Sequence, residues 1–260
     1  MKVKIGIKPF NEQRILGNII GIFLRNNGYD YEIIESEPKL EANINALKNG
    51  LIDFYIEYSG TAYNAILNLP IYKVWKEDEV FEDIEKEFKK LDLKVFIKLG
   101  YKNDFILAMK NKKEGIKRIS DLKDKADNMI FSCPKPYIER QDGLPAIESA
   151  YNIKFEKIVS NMPDGMYEDL ENERVDIITA FLTDSRIEKN NLYLLEDDKR
   201  ALPPYEAFIL HKSLNTDILN ILKRLENKIS SENMREMNYE FDFNKIEPEK
   251  IAKIFVENNL

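Results

Sequence analysis

The chain has one cysteine, one histidine and one tryptophan in 260 residues. Cys133 has no second cysteine to pair with, so no intrachain disulfide framework holds this fold. A single histidine and a single cysteine also leave no ordinary ligand set for zinc and no Cys–His nucleophile pair. Plainer uses are expected: Cys133 as a small buried hydrophobe at the end of a strand, and His211 at the surface end of another. No run approaches the roughly 20 apolar residues of a membrane span. The opening Met1-Lys2-Val3-Lys4-Ile5 leads into no longer apolar region and does not read as a secretory signal. Two placements stay open on this evidence: cytoplasmic, or outside the cytoplasm with a leader or membrane portion beyond this sequence. An excess of positive charge is lacking too. Net charge is −7 and pI about 5.1. Lys and Glu are interspersed, as in Lys86-Glu87-Phe88-Lys89-Lys90, so no basic stripe is available to neutralise phosphate, which argues against a nucleic-acid partner.

What is present suits a globular protein with a real core. Hydrophobic residues make up 43 %, and the length allows one large domain or two lobes. Short apolar runs alternate with amphipathic stretches. Val3–Ile7, Tyr31–Glu35, Ile52–Ile56 and Leu93–Leu99 read as strands. Asn11 is placed to cap a helix over 12–26 whose Ile15, Ile19, Ile22 and Phe23 share a face, and Gly28 stops it. Helices are also expected over 39–49, from Ser59 as a cap through Leu67, and over 80–91. A second half repeats the theme, with strands at 105–109, 129–132, 155–159, 175–180 and 192–195 and helices at 144–151 and 166–173. Ser120 is placed to cap a turn at 121–124. The tail from Asn215 is helical in three pieces, broken near Ser230 and at Pro248. This βαβ grammar implies an α/β fold with mostly parallel sheets covered on both faces. Residues 46–55 also align with 169–178: each is a helix end, a tight turn, an Asp and a buried strand, as two lobes of similar build would show.

Five separated segments can be halves of one small-molecule site: Lys8-Pro9-Phe10, Glu57-Tyr58-Ser59-Gly60-Thr61, Glu139-Arg140-Gln141-Asp142-Gly143, Phe181-Leu182-Thr183-Asp184 and Pro203-Pro204-Tyr205. They offer aromatic rings together with Lys, Arg and Thr. A quaternary ammonium cannot donate a hydrogen bond and is held by ring faces, whereas a carboxylate is best held by a guanidinium fork. Lys8, Tyr58, Thr61 and Phe181 each follow an expected strand, where ligands sit in open α/β sheets. Each residue also has a plain use. Lys8 can cap a strand in solvent, Arg140 can pair with Glu139 or Asp142, Thr61 can serve a helix end, and a Phe after a strand is commonly core. Trp75 follows a loop and is expected to be structural or on a lobe surface.

Taken in order, Lys8-Pro9-Phe10-Asn11-Glu12-Gln13, Glu57-Tyr58-Ser59-Gly60-Thr61-Ala62, Arg140-Gln141-Asp142-Gly143-Leu144, Thr183-Asp184-Ser185-Arg186, Leu195-Glu196-Asp197-Asp198-Lys199 and Pro203-Pro204-Tyr205-Glu206-Ala207 resemble the substrate-binding component of ABC importers for glycine betaine, carnitine and choline. The resemblance runs over nearly the whole chain. It implies a two-lobed type II periplasmic-binding-protein fold with a ligand cleft between the lobes, residues 1–103 with 205–260 forming one lobe and 104–204 the other. Crossovers are expected near Asn103–Phe105 and Leu202–Tyr205. It further implies an aromatic cage of Tyr58, Phe105, Phe181 and Tyr205, with Lys8, Thr61 and Arg140 holding a carboxylate and Tyr101 and Tyr137 at the outer rim. The family more often has Tyr where this chain has Phe105 and Phe181, and an acidic or other polar residue where it has Asn103. Phe keeps the ring face and loses the hydroxyl. The implied protein is a solute receptor and not an enzyme, with no metal and no cofactor. Its implied ligand is a glycine betaine-like carboxylated solute, and its partner an ABC permease, in some members fused. It would work outside the cytoplasm, membrane-associated only through an anchor or permease beyond this sequence. Ergothioneine, carnitine, choline, or a sensory role of the same fold are the alternatives.

Overall fold

Val3, Ile5 and Ile7 are buried while Lys2 and Lys4 are exposed, and this run is strand β1 (Lys2–Ile7) of a computed structural model that describes residues 2–260. The chain folds as two units. The first holds residues up to Leu69, Asp78–Asn103 and Tyr205–Leu260; the second holds Pro70–Glu77 and Asp104–Pro204.

In the first unit, α1 (Asn11–Asn26) buries Ile15, Leu16, Ile19, Ile20 and Phe23 and packs against β2 (Asp30–Glu35). Gly28 ends it at φ +87°, a left-handed conformation that costs glycine little. Next come α2 (Ala42–Lys48), β3 (Phe54–Tyr58), a π-helical turn (Thr61–Ile66), α3 (Glu77–Lys90) and β4 (Lys94–Lys102). The second unit contains β5 (Phe105–Met109), β6 (Ile130–Cys133), α4 (Lys135–Glu139), α5 (Leu144–Tyr151), β7 (Lys157–Ser160), α6 (Pro163–Glu171), β8 (Ile177–Phe181), α7 (Ser185–Lys189) and β9 (Tyr193–Leu195). The chain then returns to the first unit as β10 (Glu206–His211), α8 (Thr216–Lys223), α9 (Ser231–Asp242) and α10 (Pro248–Asn259). Successive strand residues point to opposite faces, so Leu107 and Ile177 feed one core of the second unit while Ala108 and Ile178 feed the other.

The sheets run β2-β1-β3-β10-β4 and β7-β6-β8-β5-β9. They are mixed, where mostly parallel sheets were expected. β1 is parallel to β2 and β3, and β6 to β7 and β8, but β10 and β5 are antiparallel to both their neighbours. These two are the strands that immediately follow a passage of the chain from one unit to the other, so they enter without the helical crossover that a parallel neighbour needs. The alignment of 46–55 with 169–178 has a physical counterpart. Asp53 bonds Lys4 through both its N–H and its carboxylate, and Asp176 bonds Ile130 in the same way. Gly50 and Glu173 hold the matching left-handed turn positions.

Three polar expectations fail. Asn11 lies inside α1 after Phe10 as N-cap, and its amide donates to Asp242. Ser59 is not the residue that precedes the π-helical turn, which is Gly60, and its hydroxyl accepts from the Glu206 N–H at 2.9 Å. Ser120 lies within a 3₁₀ turn and donates to Asp198. His211 is not at the surface: it is 4 % exposed, between register partners Phe54 and Lys94 and edge-on to Phe96 at 5.8 Å. Burial, and then the Lys94 charge, push its pKa down from 6.5 to about 4. The folded value lies below the unfolded one, so the unfolded chain takes up the proton first on acidification. The His211 contribution is full above pH 6.5 and is lost as pH falls toward 4, by at most about 3 kcal/mol. Urea unfolding of the wild type at pH 7, 5 and 4 should therefore lose more stability than that of His211→Gln; parallel curves would remove the histidine from the acid response.

Candidate functional site

The strand ends of each unit carry part of the candidate site. In the first, Lys8 follows β1 and Tyr58 ends β3, both at carboxyl ends of parallel strands. The Lys8 ammonium ion-pairs with the fully buried Glu57, and it stands 5.3 Å from the Tyr58 ring centroid. Lys8 is thus already matched by a carboxylate. Tyr58 is 4 % exposed. Its hydroxyl donates to Glu12 Oε1 at 2.5 Å and accepts from Gln13 Nε2 at 3.2 Å. Tyr101, edge-on to it, donates to the same Glu12 oxygen at 3.0 Å. Burial and then the Glu12 charge hold both phenols far above the ordinary tyrosine pKa, so they stay protonated donors. Tyr205, also buried, lays its ring over Gly60: a Cβ there would sit 2.6 Å from Tyr205 Cζ. Gly60 is therefore required by a close approach of the ring and not by its φ of −64°. Thr61, half-buried, begins the π-helical turn.

In the second unit, Phe105 and Phe181 face each other across the antiparallel pair β5–β8, with centroids 4.6 Å apart. Phe181 is 40 % exposed. Tyr137 backs Phe105 at 5.1 Å. Arg140 follows α4 and grips Asp142 through two parallel bonds, Nε–Oδ1 at 2.8 Å and Nη2–Oδ2 at 2.5 Å. This is one of its two plain uses; Glu139 instead pairs with Lys135. The Arg140 side chain is 44 % exposed over a buried Asp142.

Of the seven expected ligand residues, Lys8, Tyr58, Thr61 and Tyr205 lie in the first unit and Phe105, Arg140 and Phe181 in the second. Lys8 meets Tyr58, Tyr205 meets the residue before Thr61, and Phe105 meets Phe181. Tyr101 and Tyr137 are not rim residues. Both are buried and act as backing, one for Tyr58 and one for Phe105. Trp75 is buried, so its role is structural and not that of a surface residue. Two residues of the first candidate segment and its motif, Phe10 and Glu12, were given no role of their own in the sequence. Phe10 is 38 % exposed and lies 6.3 Å from the Tyr58 ring. Glu12 is 4 % exposed, and its signal was readable: it shares the helix face of Ile15 and Ile19, a charge set among apolar residues. Among the described residues no His, Cys, Asp or Glu cluster could hold a metal, and no helix is long and apolar enough to cross a membrane.

Two α/β units of one strand order, with rings and cations at their strand ends, define the fold class of this chain. The fold agrees with the crystal structure of a glycine betaine/carnitine/choline ABC transporter protein, at TM-score 0.90 and 23 % identity over 98 % of both chains. The family model described as the substrate binding domain of ABC-type glycine betaine transport system matches residues 1–258, and the chain belongs to this family. Among its relatives is the ergothioneine transport permease/ergothioneine binding protein of Helicobacter pylori strain G27, 30 % identical over 97 % of this chain. Another is the carnitine transport binding protein of Listeria monocytogenes serotype 1/2a, 28 % identical over 99 % of this chain. The chain spans 47 % of the first relative's length and 86 % of the second's.

Proposed function

We propose that this chain captures a quaternary-ammonium solute carrying a carboxylate, glycine betaine or a near analogue, and presents it to an ABC permease outside the cytoplasm. In this reading the two units are the two lobes, and membrane association comes through an anchor or the permease. The reading rests on the pair Phe105–Phe181, in ring contact and partly open to solvent, with the Arg140 fork in the same unit. Apolar rings without hydroxyls give a methylated onium its cation–π contact, about 0.5–2 kcal/mol per ring, and ask for no hydrogen bond in return. Tyr58 and Tyr205 are the rings assigned to the first lobe, with Lys8 and Thr61 beside them. Because Arg140 and Lys8 already hold Asp142 and Glu57, the ligand carboxylate enters by exchange with a protein carboxylate. The reading is binding without catalysis, in keeping with a family model described as a substrate binding domain.

A larger betaine is the second reading. It is favoured by the names of the two relatives, one an ergothioneine and one a carnitine binding protein. Titration calorimetry with glycine betaine, carnitine, ergothioneine and choline tests both. A carboxylated ligand should bind tighter than choline, which would leave the Arg140 fork without a ligand acid. The reverse order would remove the anion pole.

A further inference from the structure

The ammonium beside the Tyr58 ring carries its own counter-ion. Lys8 Nζ ion-pairs with Glu57 Oε1, and the Tyr58 N–H donates to the same oxygen at 2.8 Å. Glu57 is fully buried, and Lys8 is its one ion-pair partner among the described residues. The Lys8 side chain is 18 % exposed, so solvent reaches the pair from its cationic side. Gln13 fixes the arrangement. Its Oε1 accepts from the Lys8 N–H at 3.2 Å, and its Nε2 donates to the Tyr58 hydroxyl at 3.2 Å. Tyr55 lies two residues before Glu57 on the same face of β3. Burial, and then the Glu57 charge, hold its phenol far above the ordinary tyrosine pKa, so it stays neutral. One cation and one carboxylate remain, and they sum to zero.

Stability does not account for such a pair, since well-packed apolar residues commonly do as well in its place. A lysine that served only to grip an acid would need no buried carboxylate of its own. What the pair supplies is a strand end without net charge. A ligand of either net charge finds nothing there to offset its loss of water. A zwitterion brings both signs and aligns with the dipole of the pair.

We propose that Glu57 is a specificity-determining residue: by cancelling Lys8 it keeps this end of the site neutral, and so selects a zwitterion over a cation or a simple acid. The inference rests on the reading of Lys8 and Tyr58 as ligand residues. It narrows the ligand class to molecules without net charge.

The test measures Kd by calorimetry, with Tm in parallel, for three ligands on the full chain. They are choline, a cation; glycine betaine, a zwitterion; and the carbon isostere of glycine betaine, an acid with a tert-butyl head. Wild type should prefer glycine betaine to both others. Glu57→Gln keeps an acceptor for the Tyr58 N–H and leaves Lys8 unbalanced. Choline should then weaken about tenfold and the isostere tighten about tenfold, while glycine betaine moves less than either. Adding Lys8→Gln to Glu57→Gln makes the end neutral again, and the wild-type ratios among the three ligands should return within about threefold. A loss of packing alone would not be reversed in this way. If Glu57→Gln does not fold, Lys8→Gln at pH 8 reads the pair from its other side, with the shifts of choline and the isostere reversed. The inference is overturned by three ligands that move together, by unchanged ratios, or by a wild type that prefers choline or the isostere. A double variant that favours choline also overturns it, because Lys8 itself would then grip the ligand's acid. A wild type that binds none of the three overturns the ligand reading, and this inference with it.

Discussion

Arg140→Ala is expected to weaken glycine betaine binding by about tenfold or more, since a bidentate charge-assisted contact to a carboxylate is lost. The same substitution strips Asp142 of its guanidinium. Asp142 is 5 % exposed, so its carboxylate would be left buried without that partner, and Tm should fall as well. The cost stays below the about 3–5 kcal/mol of a fully buried pair, because nearly half of the Arg140 side chain faces solvent. Two further variants separate the effects. Arg140→Ala with Asp142→Asn should recover much of the stability and none of the affinity. Asp142→Asn alone should leave binding intact or tighten it, because the fork no longer has a competing acid. Calorimetry and thermal melts on the three proteins decide the matter: wild-type affinity in Arg140→Ala removes the anion pole.

Gly100→Ala should be the most destabilising small change in the first unit. Gly100 lies in β4 at φ +100°, and an added Cβ would meet the Asn227 Cα at 2.6 Å and the Ile229 carbonyl oxygen at 3.0 Å. The pairing of β4 with β10 shifts register across this point, from Glu206↔Lys102 to Phe208↔Lys98, as a bulge does. The neighbouring backbone cannot retreat, because the Asn227 and Ile229 N–H groups donate to the carbonyls of Lys98 and Leu99. A left-handed alanine costs about 1–2 kcal/mol and the clash about 1–3 more. A sum near 3 kcal/mol corresponds to a Tm drop of about 10 °C in a chain of this size. A melt within about 2 °C of wild type would show that the bulge relaxes freely.

Much of the element pattern was legible because local signals agree with it. α1 follows from Ile15, Ile19 and Phe23 on one face and Gly28 behind it, and the tail helices from the breaks at Ser230 and Pro248. The antiparallel placement of β5 and β10 was not, because it depends on where the chain leaves and re-enters a unit and not on any periodicity. Polar side chains were the least legible. Ser59 and Asn11 carry cap chemistry in the sequence, yet their partners lie at Glu206 and Asp242, far along the chain.

By itself, the order of residues determined the α/β class, the repeated half and the strand ends where rings and cations gather, since hydrophobic period and turn chemistry are local properties. Only the tertiary structure decided which charges are spent. Glu57 neutralises Lys8, Asp142 holds Arg140, and Glu12 lies buried beneath two phenols. A charge finds its partner through space, and the energy of that pairing depends on burial that no short stretch of sequence encodes.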